Sequence, residues 1–431
     1  MTPPEVAAAV EAAHRSDWAR VLATTARLTG GDLGIAEEAT ADAFVAALQT
    51  WPERGVPQRP GAWLTTAARR NALDALRRRT TLKRRLPVLA AGVVDEVPQD
   101  EETEVLPDDR LRLVFTCCHP ALSQEAQVAL TLRLVAGLTT DEIAHAFLVS
   151  PSTMAARLTR AKHKISAAAI PYRVPERTDL PQRVDAVLTV IHLVFTTGHS
   201  APEGDTLVRS DLTGAALDLA RVLATLLPDD TEVLSLLALL ELTEARRPSR
   251  LDDDGQLVLL AEQDRSRWDA ELLAHGLAMF DRALRSSSQP AGRFLLQAGI
   301  AAAHAEAPTF DATDWAGISA LYDRLAMVWP SPVVEVNRAV AHAYAQGPQA
   351  GLSLLDQLTD DPRLRDYHYL PATRAELLRR AGRTHEAAAA FRQALDQVTA
   401  PAEREFLLRR LAGLPQHPAT GRPTDTAPTV P

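Results

Sequence analysis

Apolar residues recur every three to four positions along most of the chain, and the gaps between these stretches hold proline, glycine and polar clusters instead of alternating strand patterns. The pattern predicts helices over Val6–Thr29 and Gly34–Gln49, separated by Gly30, Gly31 and Asp32, and over Gly61–Arg79 after a loop between Trp51 and Pro60. Ser123 caps a further helix that runs to Ala136 and stops at Gly137. Two helix starts then lie eleven residues apart: a capping box of Thr139 with Glu142, and Ser150 as N-cap before Pro151 at the first helical position. This predicts a short helix Asp141–Phe147, a turn at Leu148 and Val149, and a longer helix to about Ile165. Met154, Leu158, Ala161 and Ile165 share the inner face of that second helix, while Ser152, Thr153, Arg157, Arg160 and Lys164 share the outer one. Short polar groups at a helix start can read base edges in a major groove, and cations further along can hold phosphates. The stretch reads as a three-helix unit carrying a helix-turn-helix. A plain helical hairpin with a solvated basic face would have the same spacing.

Past Ile170, Pro171 and Pro175 break the pattern, and helices resume over Pro181–Thr196, Leu212–Leu227, Asp230–Arg246, Trp268–Leu284 and Asp314–Val328. Ala381-Gly382-Arg383, Ala387, Phe391 and Ala394 fit the second half of a tetratricopeptide unit, and Gly347, Ala350, Leu354 and Pro362 fit a preceding one. Stacked helix pairs of this kind form a groove suited to a peptide or partner. Pro415–Pro431, rich in proline and threonine, is expected to be a disordered tail.

Composition narrows the class. With 431 residues, 46% hydrophobic and 5% aromatic, the chain is alanine- and leucine-rich, so the expected fold class is all-α with about three domains. No apolar run reaches a membrane span and Met1–Val6 lacks the features of a signal peptide, so a cytoplasmic protein with no membrane partner is expected. The net charge of −9 excludes a uniformly basic protein, but the charge is unevenly placed. From Arg69 to Arg85 stand eight basic residues against one acid, Asp74, which is suitably spaced to pair with Arg70 or Arg78. From Gly92 to Asp109 stand eight acids and no base, the composition of an extended linker. Cys117 and Cys118 are adjacent and have no metal-ligand spacing, so they read as small buried residues.

Other chemistry is weakly signalled. Glu11 with His14 and Glu142 with His145 match Glu-x-x-His, yet a di-metal bundle needs further glutamates on facing helices. Asp252, Asp253 and Asp254 lack the glycine spacing of a calcium loop and read as a plain loop. Gln263–Trp268 is dense in groups suited either to an ion-pair network or to a ligand. With no nucleophile and base on a recognisable scaffold, the expectation is a protein that is not an enzyme and uses no cofactor or metal.

Several short runs resemble bacterial sigma factors of the extracytoplasmic-function type. Leu122-Ser123, Leu132-Arg133, Gly137-Leu138-Thr139, Glu142-Ile143-Ala144, Val149-Ser150, Thr153-Met154 and Arg157 to Ala161 are similar to sigma region four, although Leu148 stands where that family usually has glycine. Ala36-Glu37-Glu38 and Asp42-Ala43-Phe44 resemble the region-two helix that docks on the polymerase clamp, with Ala41 in place of a frequent glutamine. Trp63-Leu64, Ala68-Arg69 and Asp74 resemble the DNA-facing part of region two. There the family reads Arg-Asn and this chain reads Arg69-Arg70-Asn71, and Trp63 suits either core packing or stacking on an unpaired base.

The resemblance implies a region-two domain over 1–91, an acidic linker over 92–109, a region-four domain over 110–170, a tetratricopeptide-like extension over 171–414 and the tail over 415–431. Its implied partners are core RNA polymerase through Glu38 and Asp42, and promoter DNA through Arg69, Arg70, Asn71, Arg77, Arg78, Ser152, Thr153, Arg157, Arg160 and Lys164. A regulatory protein or ligand is expected on the extension. Two rival readings use the same motifs: a DNA-binding regulator that never joins polymerase, and a helical scaffold with a DNA-targeting module.

Overall fold

The computed structural model describes residues 3–85, 109–147, 149–176, 178–199, 210–252, 256–287 and 290–415. Among them are eighteen α-helices and no strand, only an isolated antiparallel bridge between Leu251 and Leu257, so the chain is all-α. No described helix is long and apolar enough to cross a membrane. The described residues group into two compact units, the first drawn from Met1–Ala201, Val208–Leu240 and Arg282–Ser286, the second from Glu241–Asp281 and Ser287–Pro431.

In the first unit α1 (Pro3–Leu28), α2 (Leu33–Arg54) and α3 (Pro60–Arg85) pack against one another. Gly30 and Gly31 make the expected turn with φ of 65° and 87°, a region closed to most side chains. Asp32 then caps α2 by accepting from the amides of Gly34 and Ile35, both at 3.1 Å. The helix runs further than expected, through Trp51 and Pro52 to Arg54. Pro52 sits in the last turn, where its missing N–H forfeits one bond, and the buried Trp51 anchors that turn.

The acidic stretch 92–108 lies outside the described residues. Asp109, expected as its last member, is instead the first residue of α4 (Asp109–Cys117), where a carboxylate complements the helix dipole. Cys117 and Cys118 are buried free thiols, and burial pushes both pKa values up, Cys118 to about 11. The next helix, α5 (Gln124–Leu130), starts after Ser123 without a side-chain cap bond and continues as a widened π segment, Thr131–Val135, in place of the regular helix expected to Ala136. Gly137 follows at φ 76°, and a Cβ there would come within 3.1 Å of both His14 and Trp18 on α1. Only glycine lets this corner approach α1 so closely.

Two helices complete the predicted reader, α6 (Thr140–Ala146) and α7 (Pro151–Ala167). Beyond them the chain does not become a free tether. The hydroxyl of Tyr172 reaches back to the carbonyl oxygens of Ala23 and Asp109, at 3.0 and 3.2 Å. α8 (Leu180–His199) packs on α4 and α5, burying Val187, Leu188, Ile191, Val194 and Phe195, and the Arg183 guanidinium donates to the Phe115 carbonyl. α9 (Ser210–Leu226) packs on α8 in turn, and α10 (Thr231–Glu244) carries the chain into the second unit. The first unit therefore extends well past residue 170.

The second unit takes in most of α11 (Ala270–Ser286), followed by α12 (Arg293–Glu306), α13 (Trp315–Val328), α14 (Pro332–Gln346), α15 (Pro348–Asp356), α16 (Tyr369–Arg380), α17 (Thr384–Gln397) and α18 (Pro401–Ala412). From α12 onward each helix packs on the next. Ala387, Phe391 and Ala394, the repeat-like positions, are buried in one core with Leu355, Ala375 and Leu378. The dense run at 263–268 is a structural knot: Asp264 caps a short turn, and the Arg265 guanidinium donates to the carbonyls of His304 and Ala307, both at 2.7 Å, closing the end of α12 while lying over the Trp268 ring. Residues 253–255 of the aspartate loop and all but the first residue of the expected tail lie outside the described residues.

Candidate nucleic-acid interface

The reader helix is set by its caps. Thr139 and Glu142 form the reciprocal box, with the Thr139 amide donating to the Glu142 carboxylate at 2.6 Å and the Glu142 amide donating to the Thr139 hydroxyl at 3.2 Å. The Ser150 hydroxyl accepts from the Thr153 amide at 3.2 Å, and Val149 closes the turn by donating to Ala144 at 3.0 Å. Leu148 itself lies outside the described residues. Met154, Leu158, Ala161 and Ile165 are buried, which leaves Ser152, Thr153, Arg160 and Lys164 exposed on the opposite face.

Arg157 is placed differently from its neighbours. Its side chain is only 21% exposed, pairs with Glu125 at 3.3 Å and lies over the Phe147 ring at 5.5 Å. These contacts tie α7 to α5 and to the residue that follows α6, so Arg157 is partly committed before any DNA arrives.

The basic helix α3 exposes Arg69, Arg70, Arg77, Arg78 and Arg79. Asp74 pairs with Arg77 at 3.4 Å, one turn on, in place of the Arg70 or Arg78 pairing that spacing also allowed. Arg79 is tied to Asp32 at 2.6 Å. Asn71 is half-buried and donates its side-chain N–H to the Ala39 carbonyl at 3.3 Å, which fastens α3 to α2. Trp63 packs edge-to-face on the buried Trp51 with 5.6 Å between ring centres and keeps part of its surface exposed.

On α2 the three acids separate into two roles. Glu38 and Asp42 are exposed, and on the same surface stand Val45 and Leu48, 50% and 47% exposed. Carboxylates beside uncovered aliphatic groups make a surface with both charge and apolar contact to offer. Glu37 turns the other way and is held by Arg133 at 2.5 Å and Lys162 at 2.8 Å. The Arg133 guanidinium also donates to the Leu138 carbonyl and lies over Trp18 at 5.7 Å. One carboxylate of α2 thus bridges the π segment and the reader helix.

Burial alone would raise the Glu37 pKa, but the hydrogen bonds and charges of Lys162 and Arg133 outweigh it and hold the carboxyl below its usual range. A depressed carboxyl pKa means that this contribution is complete above the unfolded-state value and is lost as pH falls through the folded-state value. Glu37→Gln should therefore destabilise the protein by about 2–4 kcal/mol at pH 7, because two half-buried cations lose their shared partner. Below the ordinary carboxylate range the gap between wild type and variant should close, which thermal melts across pH will show.

A compact first unit that presents a basic helix, an acidic and apolar helix, and a capped helix-turn-helix defines a helical DNA-reading protein built to meet a second protein. In comparison with known families, sigma-70 region 2 matches residues 16–81, sigma-70 region 4 matches residues 112–165, and a family of unknown function (DUF6596) matches residues 183–284. The chain belongs to the extracytoplasmic-function-type sigma factors and carries a C-terminal extension. An uncharacterized protein of Rhizobium meliloti (strain 1021) is 40% identical over 397 residues, covering 90% of this chain and 92% of the relative. No solved structure matches. The sigma regions give the protein its role in transcription initiation, with core RNA polymerase and promoter DNA as partners.

Sequence reasoning missed the roles of Arg133 and Lys162. Their signal is faint, since they reach Glu37 across 96 and 125 residues of chain. Only a three-dimensional packing brings them together.

Proposed function

We propose that the exposed face of α2 docks on core polymerase through Glu38 and Asp42, with Val45 and Leu48 adding apolar contact, while α3 and α7 meet promoter DNA. The observation that carries this reading is the separation of roles among three neighbouring acids: Glu37 is consumed internally, and Glu38 and Asp42 are left outside next to uncovered aliphatic side chains. On α7 the exposed groups that meet DNA are Arg160 and Lys164, with Ser152 and Thr153, whose hydroxyls also lie against that of Ser150, at the helix start. On α3 they are Arg69, Arg70 and Arg78, with Arg77 drawn partly to Asp74. Asn71 and Arg157 act mainly by positioning these helices, and a protein with such partners works in the cytoplasm.

The C-terminal helices form a tetratricopeptide-like stack that regulates the sigma regions and performs no chemistry of its own. Direct packing of α8 on α4 and α5 supports this reading, because a change in the extension then has a route into the reader. Such a switch requires a ligand or partner that favours one arrangement over another, with couplings of about 1–3 kcal/mol.

The reader assignment has a sharp test in salt dependence. Arg160→Ala should lower the slope of log affinity against log salt by about 0.9 if it holds one phosphate, or cost about 1–3 kcal/mol at one base pair if it reads a base. Arg157→Ala should lower thermal stability and change the salt slope less. Promoter-fragment titrations at several salt concentrations measure both, and an Arg160→Ala protein with unchanged slope and affinity removes that residue from the interface.

A further inference from the structure

Helices of the second unit turn stripes of side chains toward a common space. On α14 the stripe is Asn337, Val340, Ala341 and Tyr344, and on α18 it is Glu403, Phe406, Leu407 and Arg410, both at helical spacing. With α13 and α16 these stripes wall most of a cavity of about 460 Å³. That volume is in the range of about 300–1,000 Å³ typical of small-molecule sites. One wall is not helical. It is the segment Leu257–Ala261, tied to α18 where Arg409 donates to the Leu257 carbonyl at 3.3 Å and Arg410 meets Glu262 at 3.4 Å. A peptide-like stretch of the chain itself therefore already lies against the stack, and the space left over suits a small molecule.

The lining is mostly apolar and incompletely covered. Phe310, Trp315, Val340, Ala372 and Phe406 are only half-buried, as are Leu257 to Leu260 on the segment. Tyr344 contributes differently, because its ring lies between Trp315, stacked at 4.2 Å, and the Arg380 guanidinium at 3.8 Å. It offers the cavity an edge and a hydroxyl.

The charged groups of the lining are already engaged. Glu376 pairs with Arg379 and Arg410, at 2.6 and 2.7 Å, Glu403 pairs with His368 at 3.1 Å and accepts from the Tyr369 hydroxyl, and Arg250 has the Glu244 and Glu403 carboxylates acting on it. The idle polar groups are uncharged. Among the described residues the Asn337 side chain and the hydroxyls of Thr373 and Tyr344 have no hydrogen-bond partner, and His304 has a buried, unpartnered Nδ1. Burial first, then the charges of Arg246 and Arg265, hold that imidazole neutral, with its pKa lowered to about 4.

An ion entering this cavity would lose hydration and find no free counter-charge, which is costly, whereas an uncharged molecule avoids that cost. We infer that the cavity binds an uncharged, mainly apolar small molecule with one hydrogen-bonding group, its body against Phe310, Trp315 and Phe406 and its polar group at the Asn337 amide, which can both donate and accept. The inference gives the regulatory reading above a site and a ligand class, and rests on it only for the consequence in transcription.

The test uses the full chain and three fluorescent probes with one ring system: the uncharged 1-pyrenebutanol, the anionic 1-pyrenebutyrate and the cationic 1-pyrenebutylammonium. One alcohol should bind per chain, at least tenfold tighter than either charged analogue. Ala372→Phe, which fills the cavity from α16, should abolish binding. Asn337→Leu, at an exposed position, should weaken the alcohol about fivefold while circular dichroism and melting stay near wild type. No saturable binding, several probes per chain, a charged analogue that binds as tightly as the alcohol, or alcohol binding indifferent to both substitutions would overturn the site. The three-probe comparison needs no variant, so a misfolded mutant does not rescue the inference. Transcription is read separately: a bound alcohol that leaves promoter-dependent transcription unchanged refutes the regulatory reading and not the site.

Discussion

Replacing Glu38 and Asp42 together by lysine is expected to weaken binding to core polymerase by about 100-fold, equivalent to about 2.7 kcal/mol. Both side chains are exposed, so the substitution leaves the core of α2 intact and helical content should not change. The loss comes from two sources, removal of attraction to a basic partner surface and addition of like-charge repulsion, and it should shrink at high salt. Val45→Ser and Leu48→Ser should add a salt-independent loss, since those side chains offer apolar area and no charge. Normal core binding by the doubly reversed protein would move the docking surface elsewhere. Glu37→Gln serves as the contrast, because it should affect melting much more than core binding.

Truncation after Ala169 is expected to have a larger effect still. A fragment ending there retains both matched sigma regions, yet it loses Tyr172, Arg183 and the whole of α8. The apolar surfaces of α4 and α5 that α8 covers would face water, along with Val128 and Leu132, which border Val194 and Leu212 in the intact chain. Uncovering several aliphatic and aromatic side chains costs about 1.5–3 kcal/mol each, which is comparable with the whole stability of a domain. The fragment should therefore aggregate or melt far below the full chain, and it should fail to support transcription at matched core occupancy. If the extension were only an inhibitor, the same fragment would remain folded and transcribe constitutively. Melting curves and transcription assays on the fragment separate these outcomes.

What the sequence made legible was local. Capping at Thr139, Glu142 and Ser150, the inner face of α7, the Gly30-Gly31 turn and the extent of α13 all follow from neighbours within a turn or two, and the structure has them. The losses are long-range. Arg157 looked free on a helical projection, and it is Glu125 and Phe147, from other helices, that occupy it. The break at Pro171–Pro175 looked like a domain boundary because prolines interrupt helices, but Tyr172 reaches back to α1 and α4, and α8 packs on α4 and α5. The dense run at 263–268 left two readings open, and the carbonyls at the end of α12 decide for a structural network. A weak signal for the cavity was present in Asn337, Val340, Ala341 and Tyr344, a helical stripe that ends in an aromatic ring. Nothing within α14 alone says that Trp315 and Arg380 meet that ring.

The central claim is that this chain starts transcription by joining polymerase to a promoter, and the most direct measurement is run-off transcription by purified core polymerase on candidate promoter fragments. Discrete transcripts should appear only when the full chain is added. They should vanish with the Glu38 and Asp42 double reversal even though that protein still binds the promoter fragment through α7. Binding of promoter DNA without any chain-dependent transcript, or transcripts indifferent to the double reversal, would contradict the account.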